Sequence, residues 1–129
     1  MKPVAMPAAP DARRPTAVSL GRDAEARALA FLLQQGLTLV EKNFRCRTGE
    51  IDLIMRDAHL LIFIEVRSRK DRRFGGAAAS VGPMKQQRLW RSAAFYLLRF
   101  RKPPLCRFDL VAIEGDDLQW MKNIRLSAS

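Results

Sequence analysis

The longest nearly apolar run in the sequence, Leu60 to Val66, sets the terms for the rest of the chain. A bilayer takes about 20 apolar residues in a helix, so this run is far too short to cross one, and it carries Glu65. It reads as a strand, Leu60–Arg67, preceded by strands at Leu37–Arg45 and Glu50–Met55. A helix fits at Leu20–Gln35, with Ser19 as its cap, Asp23 and Glu25 in its early turns and Gly36 as its stop. Its apolar stripe holds Ala24, Ala28, Leu29, Leu32 and Leu33, and Glu25 borders the buried side. A second helix opens on Pro83 and runs to Arg99. It is expected to present Trp90, Ala93, Ala94, Leu97 and Leu98 inward, with Lys85, Arg88 and Arg91 on the other side. Arg107–Glu114 reads as a strand, Gly115-Asp116-Asp117 as a turn and Leu118–Leu126 as an edge strand. The order α-β-β-β-α-β-β predicts an α/β sandwich with a mixed sheet and helices packed on it.

At 129 residues the chain is the size of one domain. Residues 1–18 hold four of the seven prolines and little to bury, so they read as a disordered tail before a single domain at 19–129. Two cysteines and one histidine are too few for a structural zinc site, which takes about four such ligands. Cys46 and Cys106 are either plain apolar residues or a disulfide. The N-terminus lacks the apolar core of a secretory signal, so the expected setting is cytoplasmic, with no membrane partner.

The formal net charge is +10, and its placement says more than its size. Residues 66–107 carry twelve Lys or Arg against Asp71 alone, while the segments on either side are close to neutral or slightly acidic. A cluster of this kind either attracts a polyanion such as a phosphate backbone or forms a solvated basic surface.

The sharpest local pattern is Gly49-Glu50-Ile51-Asp52-Leu53-Ile54 followed by Phe63-Ile64-Glu65-Val66-Arg67. With side chains alternating along each strand, Glu50, Asp52 and Ile54 share one face, as do Phe63, Glu65 and Arg67. A two-residue turn at Ala58-His59 pairs Asp57 with Leu60, sets Asp52 opposite Glu65 and sets Glu50 opposite Arg67. Two opposed carboxylates repel and call for a cation. Either a hard divalent ion such as Mg²⁺ fills that place, or arginine ion pairs do.

These segments, together with Arg69, Phe74-Gly75, Val81-x₃-Lys85-Gln86-Gln87 and Arg107-Phe108-Asp109, resemble the YraN family of small uncharacterised bacterial proteins. That family is placed in the restriction-endonuclease-like PD-(D/E)xK superfamily, which includes Holliday-junction resolvases. The resemblance spans roughly Gly21 to Ile113. It implies a restriction-endonuclease-like sandwich in which Asp52, Glu65 and the Val66 carbonyl hold Mg²⁺ or Mn²⁺. Ile51 stands where the superfamily motif has proline, and Arg67 stands at its lysine position. Arginine stays protonated, so Arg67 cannot be a general base, although it can clamp a phosphate oxygen. By the same resemblance Glu25 matches the first-helix acid of resolvase-like branches, Lys85 and Gln87 match polar positions on the following helix, and Asp109 lies in a family segment without an assigned role.

Arg67, Arg69, Lys70, Arg72 and Arg73 lead from the hairpin into a loop with Phe74-Gly75-Gly76, a composition suited to phosphodiester contacts or simply to solvent. Lys85 and Arg88 extend the basic set onto the second helix. Gln87 reads as a catalytic neighbour or as a buried amide, and His59 as a turn residue. The expected function is a metal-dependent endonuclease on DNA, with branched or damaged DNA as candidate substrates and a homodimer as a candidate assembly. Its rivals are a nucleic-acid-binding module of the same fold without turnover, and a protein-interaction factor that meets an acidic partner.

Overall fold

The computed structural model describes residues 17–69 and 82–124. The element order is α1 (Ala17–Gln34), β1 (Thr38–Cys46), β2 (Gly49–Asp57), β3 (Leu60–Arg69), α2 (Pro83–Leu97), β4 (Cys106–Glu114) and β5 (Asp117–Met121). The strands form one sheet in the order β1-β2-β3-β4-β5. Neighbours are antiparallel except β3 and β4, which are parallel. Parallel neighbours need a long crossover, and the segment containing α2 supplies it.

The two helices cover opposite faces. Ala24, Ala28 and Leu32 of α1 pack with Leu53, Met55, Ile62, Ile64, Val66, Val111 and Ile113. Leu89, Ala93 and Tyr96 of α2 pack with Phe44, Ile51, Ile54, Leu61 and Phe63. Strand β3 is therefore apolar on both sides because both sides are covered, and Leu61 through Val66 are all buried.

Gly36, at φ +96°, ends α1. Its amide donates to the Leu33 carbonyl and that of Leu37 to the Leu32 carbonyl, a Schellman closure. The helix begins earlier than expected, at Ala17, so Ser19 lies inside it and is not its cap. Leu33 points outward, at the margin of the apolar stripe. The second helix stops at Leu97, and its buried side is Leu89, Ser92, Ala93 and Tyr96. Trp90 and Leu98 face outward, contrary to the sequence reading. Asp117 opens β5 and pairs with Glu114, leaving Gly115-Asp116 as the turn, and β5 ends at Met121. Cys46 and Cys106 are both free thiols. Among the described residues no helix is long and apolar enough to cross a membrane.

Candidate functional site

The turn at Ala58-His59 sets the register as expected, with Asp57 opposite Leu60, and the pairing runs on to Leu53 opposite Ile64. At the next step the strands part. The Val66 amide donates to Asp52 Oδ2 at 2.8 Å, so a side chain takes the place of a backbone acceptor at the fork. A strand residue's N–H and C=O face the same neighbour, so the Val66 carbonyl is directed toward β2 as well.

Two irregularities build the fork. Ile51 and Ile54 both pack on the α2 side, which strict alternation forbids, so β2 rolls over at Asp52. The expectation that Glu50, Asp52 and Ile54 share one regular face is thereby corrected. On β1, Val40 is an extra residue in the register, and Asn43 falls opposite Asp52 with φ +51°. Asparagine tolerates this left-handed conformation better than most residues.

Five charged side chains and one amide converge there. Asp52 and Glu65 are both buried, at 9% and 3% exposure, and the Glu65 charge lies near enough to act on the Asp52 carboxyl. Arg67 Nε lies 2.8 Å from Glu65 Oε2, and Lys85 Nζ of α2 lies 3.5 Å from the same oxygen. The Arg67 contact is an ion pair without an aligned hydrogen bond, and Glu65 Oε1 is buried with no hydrogen-bond partner. From the other face, Glu25 of α1 accepts a hydrogen bond from Asn43 Nδ2 at 2.9 Å. Burial is the main cause that pushes the Asp52 carboxyl up from 3.8 to about 8; the charges of Glu65 and Glu25 add to it, and the Val66 amide opposes it.

Glu50 does not meet Arg67. It pairs with Arg45 at 3.3 Å, while Arg67 turns to Glu65. Arg88 is exposed on α2. Gln87 is half-buried with hydrogen-bonding or charged company, on the row of α2 that leads to the outward-facing Trp90 and Leu98. The Arg69 backbone ends β3. Lys70, Arg72, Arg73 and the Phe74-Gly75-Gly76 loop lie outside the described residues, as do residues 1–16 of the expected tail. His59 sits in the hairpin turn, about 20 Å along the strand from Asp52, and has no part in this cluster.

Asn43 is the member that the sequence reading missed. An asparagine within a strand is itself a signal, because the residue is depleted in regular strands. Asp109, whose role the sequence left open, is a structural node. Its buried carboxylate accepts from Arg107 Nε and Nη2 at 2.8 Å each, from Trp120 Nε1 at 2.9 Å and from the Asn123 amide at 2.8 Å. Next to the β1–β2 turn, Thr48 Oγ1 and the buried Ser92 Oγ are 2.9 Å apart, and Cys46 Sγ lies 3.3 Å from Thr48 Oγ1. Burial works against ionisation of Cys46, but the hydrogen bonds from Ser92, Thr48 and the nearby backbone outweigh it and lower its pKa.

Among the described residues no cluster of three or more His, Cys, Asp or Glu side chains has a metal-binding arrangement. The oxygen set at the fork is two carboxylates and one backbone carbonyl. Mg²⁺ commonly needs no more from a protein, since water and substrate phosphate complete its shell. The unpartnered Glu65 oxygen is a further feature that a hard cation fits.

A family model described as uncharacterised protein family UPF0102 matches residues 24–113. That span takes in the fork, Glu25 and Lys85. A UPF0102 protein of Janthinobacterium sp. (strain Marseille) is 52% identical over 103 residues, covering 80% of this chain and 84% of its own. One from Nitrosomonas europaea is 54% identical over 106 residues, covering 80% and 90%. One from Shewanella loihica is 54% identical over 103 residues, again covering 80% and 90%.

Proposed function

The chain belongs to the uncharacterised protein family UPF0102, and from that premise and the fork we propose a divalent-metal-dependent nuclease acting on DNA phosphodiester bonds. The observation that carries the reading is the buried acid pair, Asp52 and Glu65, with one carboxylate oxygen left without a partner. A fold stabilised only by packing has no use for a buried Asp52 carboxyl that burial and the neighbouring Glu65 push up. The resemblance to the PD-(D/E)xK superfamily supports the same assignment of Asp52, Glu65 and the Val66 carbonyl.

Those three groups would hold Mg²⁺ or Mn²⁺, which when bound polarises a phosphate oxygen and lowers the pKa of a coordinated water. The chain's own residues surround that position. Arg67 would hold a non-bridging phosphate oxygen and offset charge that develops on it. Lys85 supports Glu65 from α2. Glu25, anchored by Asn43 and near enough for its charge to act on Asp52, would be the carboxylate that receives a proton from water.

A second reading, a nucleic-acid-binding module without turnover, has one specific observation in its favour. Arg67 and Lys85 already balance Glu65 without a metal. Incubating single-stranded, duplex and branched DNA with Mg²⁺, Mn²⁺ or EDTA separates the two. The nuclease reading expects cleavage that EDTA stops and that Asp52→Asn abolishes, with DNA binding in EDTA retained. Binding with no cleavage of any substrate in either metal would leave the module. Equal cleavage by Asp52→Asn would place the activity at another site or in a contaminant.

A further inference from the structure

The outer side of α2 carries large apolar groups that the fold does not use. Met84, Trp90, Phe95 and Leu98 are 69%, 47%, 56% and 75% exposed. They lie on two neighbouring rows. Met84, Arg88, Arg91 and Phe95 follow at intervals of four, three and four residues, and Trp90, Ala94 and Leu98 follow at intervals of four. Each row therefore runs along the helix surface, over about 22 Å of helix. Neither Arg88 nor Arg91 is held in an ion pair among the described residues. From Arg72 to Phe108 the sequence contains no Asp or Glu, so nothing in that stretch offsets their charge. The same helix begins with Lys85 beside Glu65 at the fork.

We infer that the outer face of α2 is a platform for unpaired nucleic acid, on which Trp90 and Phe95, on the two flanks of the helix, stack with bases while Arg91 between them and Arg88 beside Phe95 hold phosphates. The inference rests on the nucleic-acid reading above and specifies the substrate as a strand with unpaired bases. Flat aromatic rings on the same helix surface as guanidinium groups that no described residue pairs match the two halves of a single strand, its π-faces and its phosphates. In a closed duplex the π-faces lie inside the stack, so it offers the arginines phosphates but gives the rings nothing. The Phe95 ring is seated against Phe44 at a centroid distance of 6.3 Å with 28° between planes, so it is partly ordered before any ligand arrives. A second copy of this chain would set these arginines against like charge, and an anionic lipid surface, which would also take aromatics beside arginines, is the competing occupant that the vesicle arm below separates.

The chain supplies its own reporter, because it has only two tryptophans. Trp120 lies in the α1 layer, donating to Asp109, meeting Phe31 edge-on and covered by Lys122. Trp90 alone faces the proposed platform. Full-length protein is titrated in EDTA with a thymidine homopolymer and, separately, with a blunt duplex of equal length. The single strand should quench the tryptophan emission saturably and the duplex should not. Trp90→Phe should remove the quenching, and Trp90→Ala should weaken single-strand binding, read by anisotropy, about tenfold. Both substitutions are at an exposed position and leave the core untouched.

Single-strand binding without quenching, or unchanged in Trp90→Ala, would overturn the inference. So would phosphatidylglycerol vesicles that shift Trp90 emission to the blue and are not displaced by the oligonucleotide, or a dimer in light scattering that Trp90→Ala dissociates. The nuclease reading fails separately. Quenching by the single strand without any metal-dependent cleavage would remove the catalysis and keep the platform. Cleavage of unpaired DNA by Trp90→Ala at the wild-type rate would remove the platform and keep the catalysis.

Discussion

Two buried aspartates in one sheet show how burial alone fails to distinguish structure from function. Asp109 meets four donor contacts and ties β4 to Trp120 and to the backbone at Asn123. Removing it leaves Arg107, Trp120 Nε1 and the Asn123 amide unpaired, so Asp109→Ala should cost about 3 kcal/mol or more, measured by chemical denaturation. Asp52 receives one backbone amide and faces two other acids. Its folded pKa lies above its unfolded value, so between those values the native state binds a proton that the unfolded chain does not. Stability in EDTA should therefore fall as pH rises from about 4 to about 8, a slope opposite to that of a salt-bridged carboxylate. Asp52→Asn keeps an acceptor for Val66 and removes the charge; it should melt at a higher temperature than wild type at pH 8 and flatten the pH profile. Mg²⁺ competes with that proton, so its stabilising effect on the wild type should grow with pH across the same interval and be absent in Asp52→Asn. A wild-type profile that rises with pH in EDTA would mean that Asp52 is ionised and satisfied without metal.

The hairpin is the element that the sequence made most legible, because a two-residue turn leaves the register no freedom. Its turn carries a cost the sequence does not advertise, since Ala58 adopts φ +57°. Glycine has no Cβ to clash there, although it gives back part of the gain in unfolded-state entropy, and a β-branched residue fits worst. Stability should rank Ala58→Gly above wild type, by about 0.5 kcal/mol, and wild type above Ala58→Val by about 1 kcal/mol or more. What the hairpin pattern hid was its open end. Alternation carried to Glu50 ignores the possibility that an Asp side chain replaces a backbone acceptor, as Asp52 does for Val66, and it paired Arg67 with the wrong acid. The second helix was misread for a different reason. Trp90, Ala94 and Leu98 have the same four-residue spacing as Leu89, Ala93 and Leu97, so period alone cannot say which row faces the sheet. Only the buried Leu89, Ala93 and Tyr96 decide it. Asn43 reached the site through the extra residue at Val40, a register change that no local propensity encodes.

At the scale of the whole molecule, the basic excess seen in the sequence takes on a side. Lys85, Arg88, Arg91 and Arg99 all belong to α2 or its end, and Arg67 points to the same layer through Glu65 and Lys85. Arg99 is engaged, lying 3.8 Å over the Tyr96 ring and 3.6 Å from Glu41, so it is not a free contact for a ligand. Among the described residues of α2, Arg88 and Arg91 are exposed and in no ion pair. The α1 layer also carries positive charge, in Arg22 and Lys42 around a cavity of about 470 Å³. A comparison at constant net charge separates the two faces. Phosphate contacts release counterions, so the log of the affinity for a single strand falls with log salt at about 0.7 per phosphate contacted. Replacing Arg88 and Arg91 together with glutamine should reduce that slope by about 1.4, whereas replacing Arg22 and Lys42 with glutamine should leave it close to wild type. Both double variants lose two charges, so attraction by overall charge would change them alike. Equal slopes would assign DNA binding to the diffuse field of a protein with net charge +10, and a larger change in the Arg22 and Lys42 pair would move the strand to the α1 face.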